Sequence, residues 1–357
     1  MIRTTQIASS CVLCLGLLLL IPVSAGIAQE KSDSSQTSSI SARLVAVGDV
    51  NLGRAVGKII LAGDTCFPFS RIDHLFENAD IVFCNLESPL SDQGGETQSR
   101  RSNLVFTGPP AGADALKRAG VTVVSIANNH ALDYGVDGFH QTVENLHRAG
   151  VNFVGTVDSN SLEPNRAIIT VNGLRFAFFA VTDVQNWQNG SWMRYVAKAD
   201  TSLLFPRIRA LRDSVDFIIL SYHGGVEYQS IPAKATRSFL HAAIDAGVDL
   251  VIGHHPHVLQ EIEVYRGRYI AYSLGNFVFY QPQRYWTQRS VALVFQCIKA
   301  KGGRQIQLED VIPLKAGLRP EVLQKRYGEG RKVLDHLSAL SKKTAALFLQ
   351  IEQKVDP

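Results

Sequence analysis

From Ala42 onward, short apolar runs alternate with stretches of helical spacing. The runs Arg43–Val47, Asp80–Cys84, Val121–Ile126, Arg166–Val171, Leu174–Val181, Asp216–Tyr222, Asp249–Ile252 and Tyr269–Tyr272 read as strands. Several, such as VTVVSI and FIILSY, are apolar with little alternation, as expected of strands covered on both faces. Between them, Ser70–Asn78, Ala111–Ala119, Val136–Ala149 and Ala233–Ala246 read as helices. Three of these are followed by Gly120, Gly150 and Gly247, the usual helix stop. Helix, then Ala-Gly-Val, then strand is a βαβ rhythm and predicts an α/β fold. Past Arg289 the pattern changes. Ser290–Ala300 and Arg304–Leu314 predict a hairpin with Gly302-Gly303 in its loop. Val333, Leu334, Leu337, Leu340, Leu347, Phe348 and Ile351 then predict an amphipathic C-terminal helix over 331–354.

The N-terminus has a different character. Arg3 is the only charge before Glu30, an apolar run follows from Cys11 to Val23, and Val23-Ser24-Ala25 and Gly26-Ile27-Ala28 offer small-x-small cleavage signals. This predicts a signal peptide over 1–28 and an exported protein. The run is shorter than the roughly 20 residues a spanning helix needs. The competing reading is a membrane anchor made by an uncleaved N-terminal segment. Residues 29–41 are Ser-rich and read as a linker, 42–315 as one domain and 316–357 as a helical extension.

Composition narrows the function. With 46% hydrophobic and 19% charged residues the chain is globular. A net charge of +4, spread along the sequence with no basic stripe, argues against nucleic acid as a partner. Removing residues 1–28 leaves Cys66, Cys84 and Cys297, whose spacing fits no metal knuckle.

The chemistry lies at the strand ends. The first strand runs into Asp49 and Asn51, the second into Asn85 and Glu87, the third into Asn128, Asn129, His130 and Asp133. Later strands end at His223, with Glu227 beyond, and at His254-His255-Pro256-His257. Open α/β sheets bind ligands outside the carboxyl ends of their strands, so these five sets are expected to converge. A mixed set of carboxylate, amide and imidazole suits Mn, Fe, Zn or Ni better than Ca or Mg. The lack of cysteine argues against structural zinc.

The motifs GDVNLGR, NLESPL, SIANNHALDYG, YHGGVEY, IGHHPHVLQ and YSLGNFVF, in this order, resemble the capsule-synthesis CapA family over roughly residues 42–282. That family is associated with poly-γ-glutamate and has the fold of the calcineurin-like metallophosphoesterases. The resemblance implies a four-layer αββα sandwich of two mixed β-sheets flanked by helices, with two divalent transition-metal ions between the sheet ends. It places metal ligands on Asp49, Glu87, Asn129, His223, His255 and His257, with Asn51 a weak additional oxygen ligand. His130 falls on the catalytic proton donor, and Arg54, Glu227, Tyr228 and Asn276 on substrate contacts. It implies an anionic polymer or phosphoester substrate and, as partners, capsule-synthesis and export membrane proteins. A binding or export component with a degenerate metal site is the competing functional reading. Asn51, Glu87 and Gly224 depart from the commoner His, Asp and Trp of the related patterns, which bears on catalysis more than on fold.

Overall fold

The computed structural model describes residues 39–187 and 190–344. Its strands are β1 (Ile40–Val50), β2 (Ile81–Leu86), β3 (Val123–Ser125), β4 (Asn152–Val154), β5 (Ala167–Val171), β6 (Leu174–Thr182), β7 (Phe217–His223), β8 (Leu250–His254), β9 (Ile262–Tyr265), β10 (Arg268–Ala271), β11 (Arg289–Ala300), β12 (Gly303–Lys315) and β13 (Glu321–Val322). Its α-helices are α1 (Arg54–Leu61), α2 (Asp73–Phe76), α3 (Gly112–Arg118), α4 (Gly135–Ala149), α5 (Thr201–Leu211), α6 (Lys234–Ala246) and α7 (Gly328–Leu340).

The strands form two mixed sheets, ordered β13-β12-β11-β1-β2-β3-β4 and β5-β6-β7-β8-β10-β9. In the first, β1 to β4 are parallel and the β11–β12 hairpin is added antiparallel beside β1. In the second, β6, β7, β8 and β10 are parallel and each edge strand is antiparallel. The expected two-sheet α/β sandwich is therefore observed.

The apolar runs explain the layering. On β6, Phe176, Phe178 and Ala180 join the core between the sheets, while Ala177, Phe179 and Val181 pack with α5 and α6 on the other face. Both faces are buried because both sets of alternate side chains are apolar. Phe83 of β2 stacks on Phe178 across the sheets, with centroids 6.0 Å apart. Each such side chain contributes about 1.5–3 kcal/mol of transfer free energy. Parallel pairing brings the polar carboxyl ends of β1, β2, β7 and β8 to one edge of this dry core.

Several boundaries differ from the sequence reading. Ile40 and Ser41, placed in the linker, pair with Lys299 and Ile298 of β11. The Ser70–Asn78 helix shortens to α2. The 316–357 extension is not wholly helical, since β13 pairs with β12 before α7 begins. Helix α7 buries Val333, Leu334 and Leu337 as expected, and Leu347, Phe348 and Ile351 lie outside the described residues. Helices α1 and α5 and strands β4 and β9 went unread. Helix α5 carries Pro206 in its middle, which hides it. Its start does have a signal, because Asp200 accepts from the Ser202 amide at 2.9 Å.

The end of β1 is locked by backbone contacts: the Asp49 amide donates to the Gly275 carbonyl at 3.0 Å, and the Phe277 amide to the Asp49 carbonyl at 2.8 Å. This closeness requires Gly48, where a Cβ would sit 1.9 Å from the Gly275 oxygen. Gly48→Ala is expected to destabilise the chain by about 1–3 kcal/mol, as overpacking does. Urea unfolding checks this, and a midpoint equal to the parent's would show that the loop yields freely.

Candidate metal centre

Asp49, at the end of β1, is fully buried. Its Oδ1 accepts from Asn85 Nδ2 at 2.9 Å and lies 3.0 Å from His254 Nδ1. Its Oδ2 lies 3.4 Å from His257 Nδ1. Asn85 Nδ2 also approaches Glu87 Oε2 at 3.2 Å and His223 Nδ1 at 3.3 Å. Glu87 Oε1 is 3.6 Å from His257 Nε2. Residues from β1, β2, β7 and β8, with the loops that follow, thus meet as the strand-end argument expects.

Within this cluster, Glu87, His223 and His255 offer ligand atoms within 4.8 Å of one another, and so do Asp49, Glu87 and His257. Glu87 belongs to both groups. Asn129 joins them through Oδ1, 2.8 Å from His223 Nε2. Every one of the six expected ligands therefore lies in or against the cluster.

The donor chemistry fits a transition metal. Glu87 Oε1, His255 Nδ1 and His254 Nε2 are buried without a hydrogen-bond partner. Buried lone pairs of this kind are costly unless something satisfies them. Burial pushes the Glu87 carboxyl up, and the negative charges of Asp49 and Glu227 push it further. Burial also raises Asp49, but the His254 and His257 imidazoles outweigh it and hold that carboxyl well below its ordinary range. Burial, then the neighbouring His255, holds His223 well below the usual imidazole value. Burial, then His257, holds His255 down at about 3. Neutral imidazoles beside two carboxylates are a nitrogen and oxygen donor set suited to Mn, Fe, Zn or Ni.

His130 stands beside the candidate ligands. Its Nδ1 lies 2.8 Å from Asp133 Oδ2, and its ring stacks on Phe106 at 4.3 Å. Asp133 also accepts from the Phe106 amide at 3.0 Å, so ring and carboxylate share one support. Arg54 lies over the Phe106 ring at 4.5 Å and donates to the Asn103 carbonyl at 2.6 Å. Burial holds the guanidinium below its ordinary value, against the opposing pull of the Asp133 and Glu87 carboxylates. Tyr228 lies at the rim, its hydroxyl pushed up to about 12 by burial and by Glu227.

Two assignments change. Asn276 does not face outward to substrate: its Oδ1 lies 2.9 Å from His257 Nδ1, and its Nδ2 donates to Gln281 Oε1 and the Thr287 carbonyl. It orients His257, a candidate ligand. Asn51 Oδ1 accepts from the Gly53 amide at 2.8 Å, turning the chain into α1, so that oxygen is already engaged. His254, outside the expected ligand set, is fully buried against Asp49 and belongs to neither ligand group. The missed residue is Asn85, which links Asp49, Glu87 and His223. Its signal was its place two residues before Glu87 at a strand end. Gly224, the position with no side chain, leaves room for Asp183, whose Oδ1 would be 2.0 Å from a Cβ there.

Fold and centre together define a two-sheet α/β protein with a candidate metal site at the carboxyl ends of its parallel strands. The family model described as bacterial capsule synthesis protein PGA_cap matches residues 43–281, and the chain belongs to that family. It is 34% identical over 271 residues to the PGA biosynthesis protein CapA of Bacillus subtilis strain 168, covering 74% of this chain and 70% of that one. It is 32% identical over 280 residues to the capsule biosynthesis protein CapA of Bacillus anthracis, covering 75% of this chain. The match spans 66% of the length of that Bacillus anthracis relative. Among solved structures it is similar to a phosphatase of Mycoplasma pneumoniae, with a TM-score of 0.48 and 13% identity over 78% of this chain and 95% of that one.

The depressed imidazoles predict an acid response. Unfolded histidines take up protons below about 6.5, whereas His255 stays neutral down to about 3. The unfolded state then binds more protons, so stability falls as pH drops through this window. Chelator-treated protein is expected to lose urea resistance steadily from pH 6.5 towards 3, the His255→Asn variant less steeply. Equal slopes for parent and variant would refute this origin.

Proposed function

We propose that this chain is an exported, metal-dependent hydrolase or transferase of phosphoester type, acting in the biosynthesis of a poly-γ-glutamate capsule or related envelope polymer. The observation that carries the reading is the pair of buried ligand groups sharing Glu87. A shared carboxylate is how proteins hold two ions for phosphoryl chemistry. The names of its Bacillus relatives support the polymer context.

Asp49, Glu87, His255 and His257, with Asn129 and His223, would hold two divalent ions of Mn, Fe, Zn or Ni type. Bound there, such ions supply Lewis-acid charge to a phosphoryl group. The chain's own residues do the rest. Asp133 engages His130 Nδ1, which leaves Nε2 as the nitrogen that carries a proton to a leaving oxygen. Stacking on Phe106 keeps the ring in that orientation. Arg54 places a fixed cation beside the centre for the substrate's negative charge. Asn85 and Asn276 hold the carboxylates and His257 in position. One observation favours the competing role of a polymer-binding component: the Asn51 oxygen is taken up by Gly53, which leaves the site one ligand poorer.

His130→Gln is expected to lower Mn-dependent cleavage of a generic phosphodiester about 10²–10⁴-fold, the usual worth of a general acid, with metal content unchanged. The His255→Ala, His257→Ala double variant should lose the metal itself. Parent protein inactive with Mn, Fe, Zn, Co and Ni, yet retaining poly-γ-glutamate in a salt-sensitive manner, would establish the binding role instead.

Export is tested separately. The mature chain is expected to begin near Gly26 or Gln29 in the envelope fraction, following the small-x-small sites. N-terminal sequencing that returned Met1 from the cytosol would reject it.

A further inference from the structure

Beside the centre lies a cavity of ≈ 430 Å³ whose walls include Leu132, Val136, Trp187, Trp192 and Tyr195. Two stretches of chain connect it to the candidate site. Leu132 follows His130 by two residues, and Trp187 follows Asn186, whose Oδ1 accepts from Asn129 Nδ2 at 3.2 Å. The cavity is preformed. Trp192 is 5% exposed, and its carbonyl accepts from the amides of Tyr195 and Val196 at 2.9 and 3.0 Å. The Ala197 amide donates to the Gly155 carbonyl at 2.8 Å, and Tyr195 packs edge-on against Phe139 and His140.

Its chemistry contrasts with that of the metal centre. Among the described residues no lining residue carries a charge, although the centre next door is built from carboxylates and imidazoles. The cations near the centre, Arg54 and Arg284, lie over Phe106 and Tyr228 and do not line the cavity. A polymer with a carboxylate on every unit gains nothing here, because a desolvated, unpaired charge is expensive. The cavity therefore suits a part of the ligand that is uncharged.

Ring geometry narrows the class further. Trp187 and Trp192 stand 6.3 Å apart, tilted by 44°. That leaves no parallel slot for a flat base between them, so a ligand lies across a single ring face. The mouth carries Val136, 36% exposed, an apolar side chain at a solvent boundary. A pyranose ring matches this arrangement: one C–H face packs on an indole while its hydroxyls stay in water.

The geometry points to this cavity as a subsite for an uncharged saccharide, adjoining the metal centre. The inference rests on the proposed function only in placing the subsite beside the reacting group. The implied substrate joins an uncharged sugar to the phosphoester or anionic portion held at the metals.

The chain has three tryptophans, two of them here and the third, Trp286, stacked on His336. In a full-length Trp286→Phe background, indole fluorescence thus reports the cavity. Titration with chitotriose, an uncharged N-acetylglucosamine trimer, is expected to give a saturable shift with a dissociation constant on the order of 1 mM. The shift should appear with and without bound metal, so its loss and a failure of the phosphoesterase reading are separable. Trp187→Ala should weaken binding at least about tenfold, with metal content unchanged and the chain still folded by circular dichroism. If that variant does not fold, Val136→Glu, which places a charge at the exposed mouth, should weaken it similarly. No shift with chitotriose, a stronger response to adenosine or to poly-γ-glutamate, or equal affinity in a folded variant would each overturn the assignment.

Discussion

Everything near the centre depends on one buried carboxylate. Asp49 is wholly enclosed, and its two oxygens reach Asn85 on one sheet and His254 and His257 at the end of the other. A carboxylate in so dry a place persists only if it is surrounded by donors or a cation. Its partners must therefore come from both sheets, and the polar strand ends become the point where the two sheets are registered. The apolar runs supply the bulk of the burial. Asp49 determines which ends meet.

That arrangement is held under strain. His255 and His257 sit at φ values of 98° and 58°, in the region that favours glycine. Arg54 and Tyr228, at the edges of the same centre, have φ values of 51° and 64°. Each such residue costs about 1–3 kcal/mol and survives only where its surroundings over-determine it. The supports are visible: Asn276 grips His257, the Tyr228 amide donates to the Pro256 carbonyl at 2.8 Å, and Arg54 is tied to Asn103 and Thr97. Neutral buried imidazoles add a further cost that grows as pH falls. The fold surrenders stability at this edge in exchange for a preformed set of donors.

The departures from the commoner motifs have local consequences that do not spread. Asn51 spends its oxygen on the turn into α1, and that turn places Arg54 over Phe106. Gly224 admits Asp183, whose carboxylate meets the Tyr222 hydroxyl. Neither change touches Glu87, His255 or His257. One residue has been redirected to backbone support and another to packing, while the carboxylate shared by both ligand groups is kept.

Much of this was legible in the sequence, for a physical reason. Strand period and buried runs are local properties, so β1, β2, β6, β7 and β8 could be located without a structure. The polar residues that end those runs were visible as breaks in apolarity. What stayed hidden depends on neighbours distant along the chain. Helix α1 contains Gly57, required because a Cβ there would lie 2.8 Å from Thr97 Cγ2, and no local pattern announces that contact. Asn276 faces His257 rather than solvent because Gln281 and Thr287 hold its amide. His254 differs from its neighbour His255 only in being turned towards Asp49. The aromatic cavity joins Leu132 and Val136 to Trp187, Trp192 and Tyr195, residues far apart in sequence whose meeting is fixed by long-range pairing such as Thr156 with Val196. By itself the sequence determined which residues could bind a metal, because donor chemistry belongs to side chains. Only the tertiary structure decided which of them share an ion's reach, because distance across two sheets is set by how their cores pack.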